Sequence, residues 1–318
     1  MPDAAFRERC RQERWLHLAA LHRNANAVAL LRSLGAEVDI FGCCYLPDVA
    51  LGLQLLQQEP SLTEASNTEG QTPLHVACQT GCFLLAERLI DIGADVNALD
   101  DRGRTPISAA AHGGPWKPSA DQRIIDLLLS AGAKVDFWLA AEIGKQELLQ
   151  QFLSERPTLL NRYDDGGHTA LFHASKNNHL DCVQFLLQQH ADPNAGENED
   201  QTPLSTATLH LLSQQTDPAI CEALISAGAH YDLHTAAALN DVNQLRTLID
   251  EDPQSVLHRR HGMLPADYAA HCGHAQALQV LLEAGTPPDA CDDHGYSLKS
   301  KCQHLPELAA VLQSFERA

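Results

Sequence analysis

Positive charge is scarce in this 318-residue chain, and so are aromatic rings and long apolar runs. Lys and Arg total 22 against 41 Asp and Glu, a formal charge of −19, and only six of the cations are lysines. Nucleic acids and anionic membranes are held by Lys and Arg that neutralise phosphates and release counterions, so neither is an expected partner. Aromatic residues make up 5% of the chain, too few for an aromatic-rich β-sandwich. The 44% hydrophobic content, rich in Leu and Ala, suits small helices packed closely. No apolar run approaches the ~20 residues needed to span a bilayer. Residues 1–14 are charged, with no apolar core before Trp15, so no signal peptide is expected. The ten cysteines then read as thiols of a reduced, cytoplasmic protein rather than as disulfides.

What is present is a recurrence. Thr72-Pro73-Leu74-His75 followed by Gly93-Ala94-Asp95-Val96-Asn97 returns in degraded form along nearly the whole length. Pro73 and Pro106, Ala170 and Pro203, and Pro265 and Leu298 are each 33 residues apart. A longer period of 97 and 96 separates Gly35-Ala36, Gly132-Ala133 and Gly228-Ala229, and equally Pro60, Pro157 and Pro253. Fixed periods of this size are the mark of a stacked array. The spacing predicts one elongated domain over 1–318: an N-terminal capping unit, 1–40, then three duplicated three-unit blocks, about 41–136, 137–232 and 233–318, the last ending in a C-terminal cap. That makes about ten units.

Residues 67–98 serve as the type. Thr72 before Pro73 places a hydroxyl cap ahead of proline at the first helical position, where the missing N–H costs nothing. Leu74, Ala77 and Cys78 form a narrow stripe at i, i+3 and i+4. Gly81 ends that helix. Residues 83–92 repeat an amphipathic pattern, and Gly93 supplies a left-handed cap. The polar, glycine-bearing segments between units, marked by Gly70, Gly103, Gly167, Gly262 and Gly295, predict projecting β-hairpin fingers. A single unit cannot bury its apolar faces, so each depends on its neighbours.

At these residues the chain resembles the ankyrin repeat family, whose units open with Gly-x-Thr-Pro-Leu-His and close with Gly-Ala-Asp-Val-Asn. The match is close over 70–97, good over 103–136 and 168–194, weaker beyond Tyr231, and covers about nine tenths of the chain. The resemblance implies an all-α, ankyrin-type helical solenoid of helix-turn-helix units with short β-hairpin fingers. It also implies that His75 and His17 hydrogen-bond adjoining loops, and that Asn97 and Asn194 steady the unit junctions.

Three units depart from the pattern. Asp39, Asp136 and Asp232 run straight into Ile40, Phe137 and Leu233, so three fingers are truncated, and each aspartate can cap the following helix. The same units end at Pro60, Pro157 and Pro253 instead of Gly-Ala-Asp, which predicts that proline stops the second helix and an extended polar loop follows. Two other units carry insertions between their helices, around 113–118 and 213–217, the first with Trp116 between prolines. Trp116 either packs over helix ends or anchors a partner.

Seventeen histidines invite a metal reading, and His271-Cys272-Gly273-His274 most resembles a ligand cluster. It sits, however, where the family has its helix-ending Gly-His, and zinc needs about four convergent ligands. Cys43, Cys44 and Cys78 occupy the stripe that is alanine elsewhere, and no nucleophile elbow, phosphate loop or Cys-x-x-Cys is present. No catalytic residue, metal or cofactor is therefore expected.

The sixth and seventh positions after each proline slot lie, by resemblance, on the concave groove. They give Leu21, His22, Tyr45, Leu46, Gln79, Thr80, His112, Glu142, Ile143, Lys176, Leu209, His210, His271 and His304, with Trp116 nearby. The finger residues Glu69, Gln71, Arg102, Arg104, His168, Arg260, Met263 and Tyr296 would form the rim. Apolar and amphipathic side chains on a solvated face are what a protein-binding groove requires. The expectation is a monomeric, non-enzymatic protein-binding module. The alternatives are an acidic inhibitor or immunity-type protein that blocks a basic enzyme, and a histidine-lined pH- or metal-responsive binder.

Overall fold

A computed structural model describes residues 25–33, 38–46, 48–112, 121–196, 201–212 and 217–316, in two compact units, Met1–Val135 and Asp136–Ala318. Leu21, His22 and Trp116, together with most of both insertions, lie outside the described residues.

The first unit contains α1 (Ala25–Ser33), α2 (Ile40–Tyr45), α3 (Val49–Gln58), α4 (Pro73–Thr80), α5 (Phe83–Ile92), α6 (Pro106–His112) and α7 (Gln122–Ser130). The inner helices α2, α4 and α6 pack side by side, and the outer helices α3, α5 and α7 form a second layer. The type repeat folds as its residues dictate. Pro73 opens α4 after Thr72; Gly81 closes it at φ 79°, and Gly93 closes α5 at φ 105°. Leu74, Val76, Ala77, Leu85 and Leu89 are fully buried, and Cys43, Cys44 and Cys78 fill the small-residue stripe between inner helices.

The second unit continues the same scheme. Its inner helices are α8 (Phe137–Glu142), α10 (Ala170–Lys176), α12 (Pro203–Leu211), α14 (Leu233–Ala238), α16 (Pro265–Cys272) and α18 (Leu298–Cys302). The outer helices are α9 (Gln146–Glu155), α11 (Leu180–Gln188), α13 (Pro218–Ser226), α15 (Val242–Glu251), α17 (Ala275–Glu283) and α19 (Pro306–Glu316). Consecutive inner helices pack on one another from α8 to α18.

The truncated fingers are as expected. Asp39 accepts a hydrogen bond from the N–H of Gly42, Asp136 from Leu139 and Asp232 from Thr235, so each carboxylate directly caps an inner helix. One expectation needs correction. After Pro60, Pro157 and Pro253 the chain is not extended but turns through short 3-10 helices, Pro60–Glu64, Pro157–Leu159 and Pro253–Leu257. Proline suits the first position of such a turn, and the turn buries Thr63 and Val256. In the fingers, pairing among the described residues goes as far as the isolated antiparallel bridges Arg260–Met263 and Cys291–Ser297.

Candidate functional site

In each unit the surface least explained by folding is formed by its finger turns and the adjoining ends of its inner helices. Four of the described fingers are closed from within. Oδ1 of Asn67, Asp100, Asp164 and Asp292 accepts two backbone N–H groups, those two and four residues on, at 2.8 to 3.0 Å. A glycine at positive φ completes the turn, as at Gly70 (φ 68°) and Gly167 (φ 77°). Adjacent fingers are tied together: Asp101 N–H donates to the Glu69 carbonyl at 3.1 Å, and Asp293 N–H to the Gly262 carbonyl at 3.1 Å. A Cβ on Gly70 would collide with Asp101, so glycine is needed there for approach as well as for φ.

Neighbouring repeats are joined beneath the fingers by buried polar contacts. Thr72 N–H donates to His75 Nδ1 at 3.2 Å, so the proton lies on Nε2, which donates to the Arg104 carbonyl at 2.9 Å. Burial pushes the His75 pKa below the ordinary histidine value. Asn97 spans the next junction: its Nδ2 donates to Gly132 O and its Oδ1 accepts from Lys134 N–H. Asn194 does the same with Gly228 and His230. The structural roles implied for His75 and the two asparagines are therefore present. His179 and His274 carry out a related task, with Nε2 against the carbonyls of Glu142 and Ala238.

The groove candidates separate into three groups. His112, Lys176, His271 and His304 are exposed at inner-helix ends. Tyr45, Leu46, Gln79, Thr80, Glu142, Leu209 and His210 are half-buried, with Thr80 Oγ1 donating to Val76 O at 2.8 Å. Ile143 is fully buried and leaves the surface altogether. Helix α8 is only six residues long, and its C-cap, Ile143, turns inward before Gly144.

On the fingers, Glu69, Arg102 and Tyr296 are exposed, and Glu69 pairs with Arg102 at 3.5 Å. Arg104, His168 and Met263 are half-buried, and Arg104 is held by Asp100 at 2.8 Å. Two rim assignments are corrected. Gln71 is only 3% exposed and bonds inward to Asn67 and Gln79. Arg260 is 8% exposed because its guanidinium is drawn under the finger to the cap carboxylate of Asp232. That ion pair and the His234 ring overcome the effect of burial and hold Asp232 well below the usual carboxylate range.

Sequence reasoning missed the apolar finger tips. Leu99 is 65% exposed, immediately before the turn carboxylate Asp100, and Tyr163 is exposed immediately before Asp164. An apolar residue followed at once by the Asx that starts a tight turn was the available signal. Also missed was the buried triad Asp267–Lys301–Asp292, with Lys301 Nζ 2.7 Å from Asp267 Oδ1 and 2.8 Å from Asp292 Oδ2. Asp267 occupies the same helical position as His75, and its Oδ2 caps Leu264 N–H.

Two features bear on chemistry. Burial pushes the Cys182 and Cys221 thiols up to about 12, so these are protonated packing groups rather than nucleophiles. At 271–274 the rings face different carbonyls, His271 that of Asp267 and His274 that of Ala238. By contrast, Asp164, His168 and His173 gather their donor atoms within 4.8 Å of one another.

The family models agree with this architecture. Ankyrin repeats (3 copies) match residues 43–137 and 137–233, and an ankyrin repeat matches 261–293. The chain belongs to the ankyrin-repeat family. It is 25% identical over 295 residues to human transient receptor potential cation channel subfamily A member 1, covering 85% of this chain and 24% of that protein. It is 24% identical over 298 residues to the E3 ubiquitin-protein ligase KEG of Arabidopsis thaliana, covering 74% and 18%. It is 27% identical over 173 residues to ankyrin repeat protein nuc-2 of Neurospora crassa, covering 51% and 16%. The ankyrin chain thus spans about a quarter or less of the length of these relatives. Among its described residues no helix is long and apolar enough to cross a membrane.

Proposed function

We propose that the chain is a non-enzymatic module that holds a protein partner against its finger turns and the exposed ends of its inner helices. The observation that carries this reading is the set of apolar side chains on rigid turns: Leu99 in the first unit, and Tyr163 and Tyr296 in the second. Nothing in folding requires these side chains to be exposed, and each stands on a turn fixed by two hydrogen bonds to a carboxylate. An aromatic or aliphatic anchor held in place in advance loses little entropy on binding, which is how interface hot spots are made. Exposed polar side chains accompany them within each unit, Glu69, Arg102 and His112 in the first and Lys176, His271 and His304 in the second. A cytoplasmic setting is part of this reading, since buried thiols such as Cys182 and Cys221 stay reduced there.

The net charge of −19 favours a basic partner and supports a narrower second reading, an acidic inhibitor that blocks a basic enzyme. Capture from native cytosol separates the readings. The intact chain, a Leu99→Ser, Tyr163→Ser, Tyr296→Ser variant, and a Leu84→Ser control on outer helix α5 are compared by quantitative mass spectrometry. A partner retained by the control and lost by the triple variant is the expected result. Equal recovery by all three rejects the finger surface. Steep loss of binding with salt selects the inhibitor reading.

A further inference from the structure

We propose that Asp164, His168 and His173 form a site for a divalent transition-metal ion of the zinc type. His173 Nε2 lies 2.7 Å from Asp164 Oδ2, and His168 Nδ1 lies 3.9 Å from Asp164 Oδ1. Two imidazoles and a carboxylate are the donor set that zinc and its neighbours bind at about 2.0–2.2 Å, which puts donors around one tetrahedral ion about 3.3 Å apart. These two separations bracket that value and the three donor atoms lie within 4.8 Å of one another, so side-chain rotation without backbone rearrangement is what the site needs to close on one ion.

The three side chains are positioned by parts of the fold already in place. Asp164 Oδ1 is engaged by the N–H groups of Gly166 and His168 at 2.9 and 2.8 Å, which fixes the carboxylate and turns Oδ2 toward His173. The His168 ring stacks on Phe172 with centroids 4.1 Å apart. His173 projects from the first turns of α10. In the type repeat the same three positions are Asn67, Gln71 and Val76, and in the next they are Asp100, Arg104 and Ala109. Among the described residues, three such ligands meet only in the 164–173 finger. The expectation of no metal rested on 271–274 and overlooked this convergence, because Asp164 and His173 come together only when the turn folds back on the helix.

Charge and proton bookkeeping set the strength of the site. His173 Nε2 is hydrogen-bonded to Asp164 Oδ2, while its Nδ1 is buried with no hydrogen-bond partner. The ion takes Nε2 of the neutral imidazole whose proton is on Nδ1, and it gives up water molecules to gain the three ligands. No electron is transferred. The Nδ1–H then lacks the acceptor that normally buttresses a metal-bound imidazole, an absence that weakens such sites by about 10–100-fold. The remaining coordination position is left to water, since all three ligand residues are only half-buried.

The test uses the full chain without an affinity tag, stripped with EDTA and titrated with Co²⁺, followed by visible absorption and by displacement with Zn²⁺. Asp164→Asn and His168→Gln place at this finger the residues that the chain itself carries at 67 and 71, so the turn is retained. Circular dichroism checks that each variant is folded. The expected result is one Co²⁺ per chain, displaced by Zn²⁺, with either substitution weakening binding by more than about 10-fold, the cost of even an outer-shell change. Binding that is unchanged in both variants would assign the metal to other histidines and overturn the proposal. Absence of any saturable binding in the intact chain would overturn it equally.

Discussion

The same helical position joins one repeat to the next in two chemically different ways. In the first unit His75 is neutral and gives a single hydrogen bond to Arg104 O. In the second unit Asp267 stands in its place, and Lys301 from the following repeat bridges it to Asp292. A neutral hydrogen bond needs little desolvation and stabilises modestly. An ion triad costs much to bury and depends on every member being present. The repeat therefore specifies where a junction must be satisfied, not by which chemistry.

Removing one partner separates the two junctions most sharply. Lys301→Met leaves two buried carboxylates facing each other, and the expected loss is about 3–5 kcal/mol, read by urea unfolding of the full chain. His75→Ala removes one buried neutral contact and a cap, with an expected loss of about 1–3 kcal/mol in the same assay. Equal losses at the two junctions would erase the distinction.

Acidification should part them by the pH at which each weakens. Burial holds the folded His75 pKa below its unfolded value of about 6.5. Its contribution to stability is complete above that value and is lost as pH falls through the lowered folded one. For Asp292, burial acts upward, but the Lys301 contact and the turn N–H groups outweigh it and bring the carboxyl down to about 2. Its contribution is complete above the unfolded value of about 3.9 and is lost only as pH falls toward 2. Residue-resolved hydrogen exchange at pH 7.5, 5.5 and 3 should show loosening around 75–104 before 292–301. The reverse order would contradict the comparison.

A smaller effect is expected at Gly144, which sits at φ 73° with His179 Nδ1 only 2.5 Å from where a Cβ would lie. Gly144→Ala should cost more than about 1 kcal/mol and should loosen the His179–Glu142 contact in the same exchange experiment. Smallest of all, Leu99→Ser and Tyr163→Ser should change stability by no more than about 0.5 kcal/mol in urea unfolding. A larger loss would mean that these side chains serve the fold rather than a partner.

Much of the fold was legible in the sequence because its signals are local. Thr72-Pro73 starts a helix, Gly93 stops one, and Asp39, Asp136 and Asp232 cap the helices that follow them directly. How far the finger flanks pair was not legible, because turn residues mark only where the chain reverses. Ile143 was misplaced because a fixed count from the helix start marks a place along the chain and not what packs over it: Leu46, at the same count after the equally short α2, is half-buried. The polar core was the least legible part. Lys301 meets Asp267 across 34 residues and Arg260 meets Asp232 across 28, and nothing local to either residue indicates the pairing. Leu99 and Tyr163 fall outside the expected finger residues because each precedes its turn carboxylate and so lies just before the turn itself.

The most direct test of the proposed binding surface is hydrogen exchange on the chain with and without its captured partner. Protection centred on 99–104 in the first unit, and on 163–168 or 292–297 in the second, is the predicted result. Protection confined to the outer helices, such as 83–92 and 146–155, with the fingers exchanging as in the free chain, would contradict it.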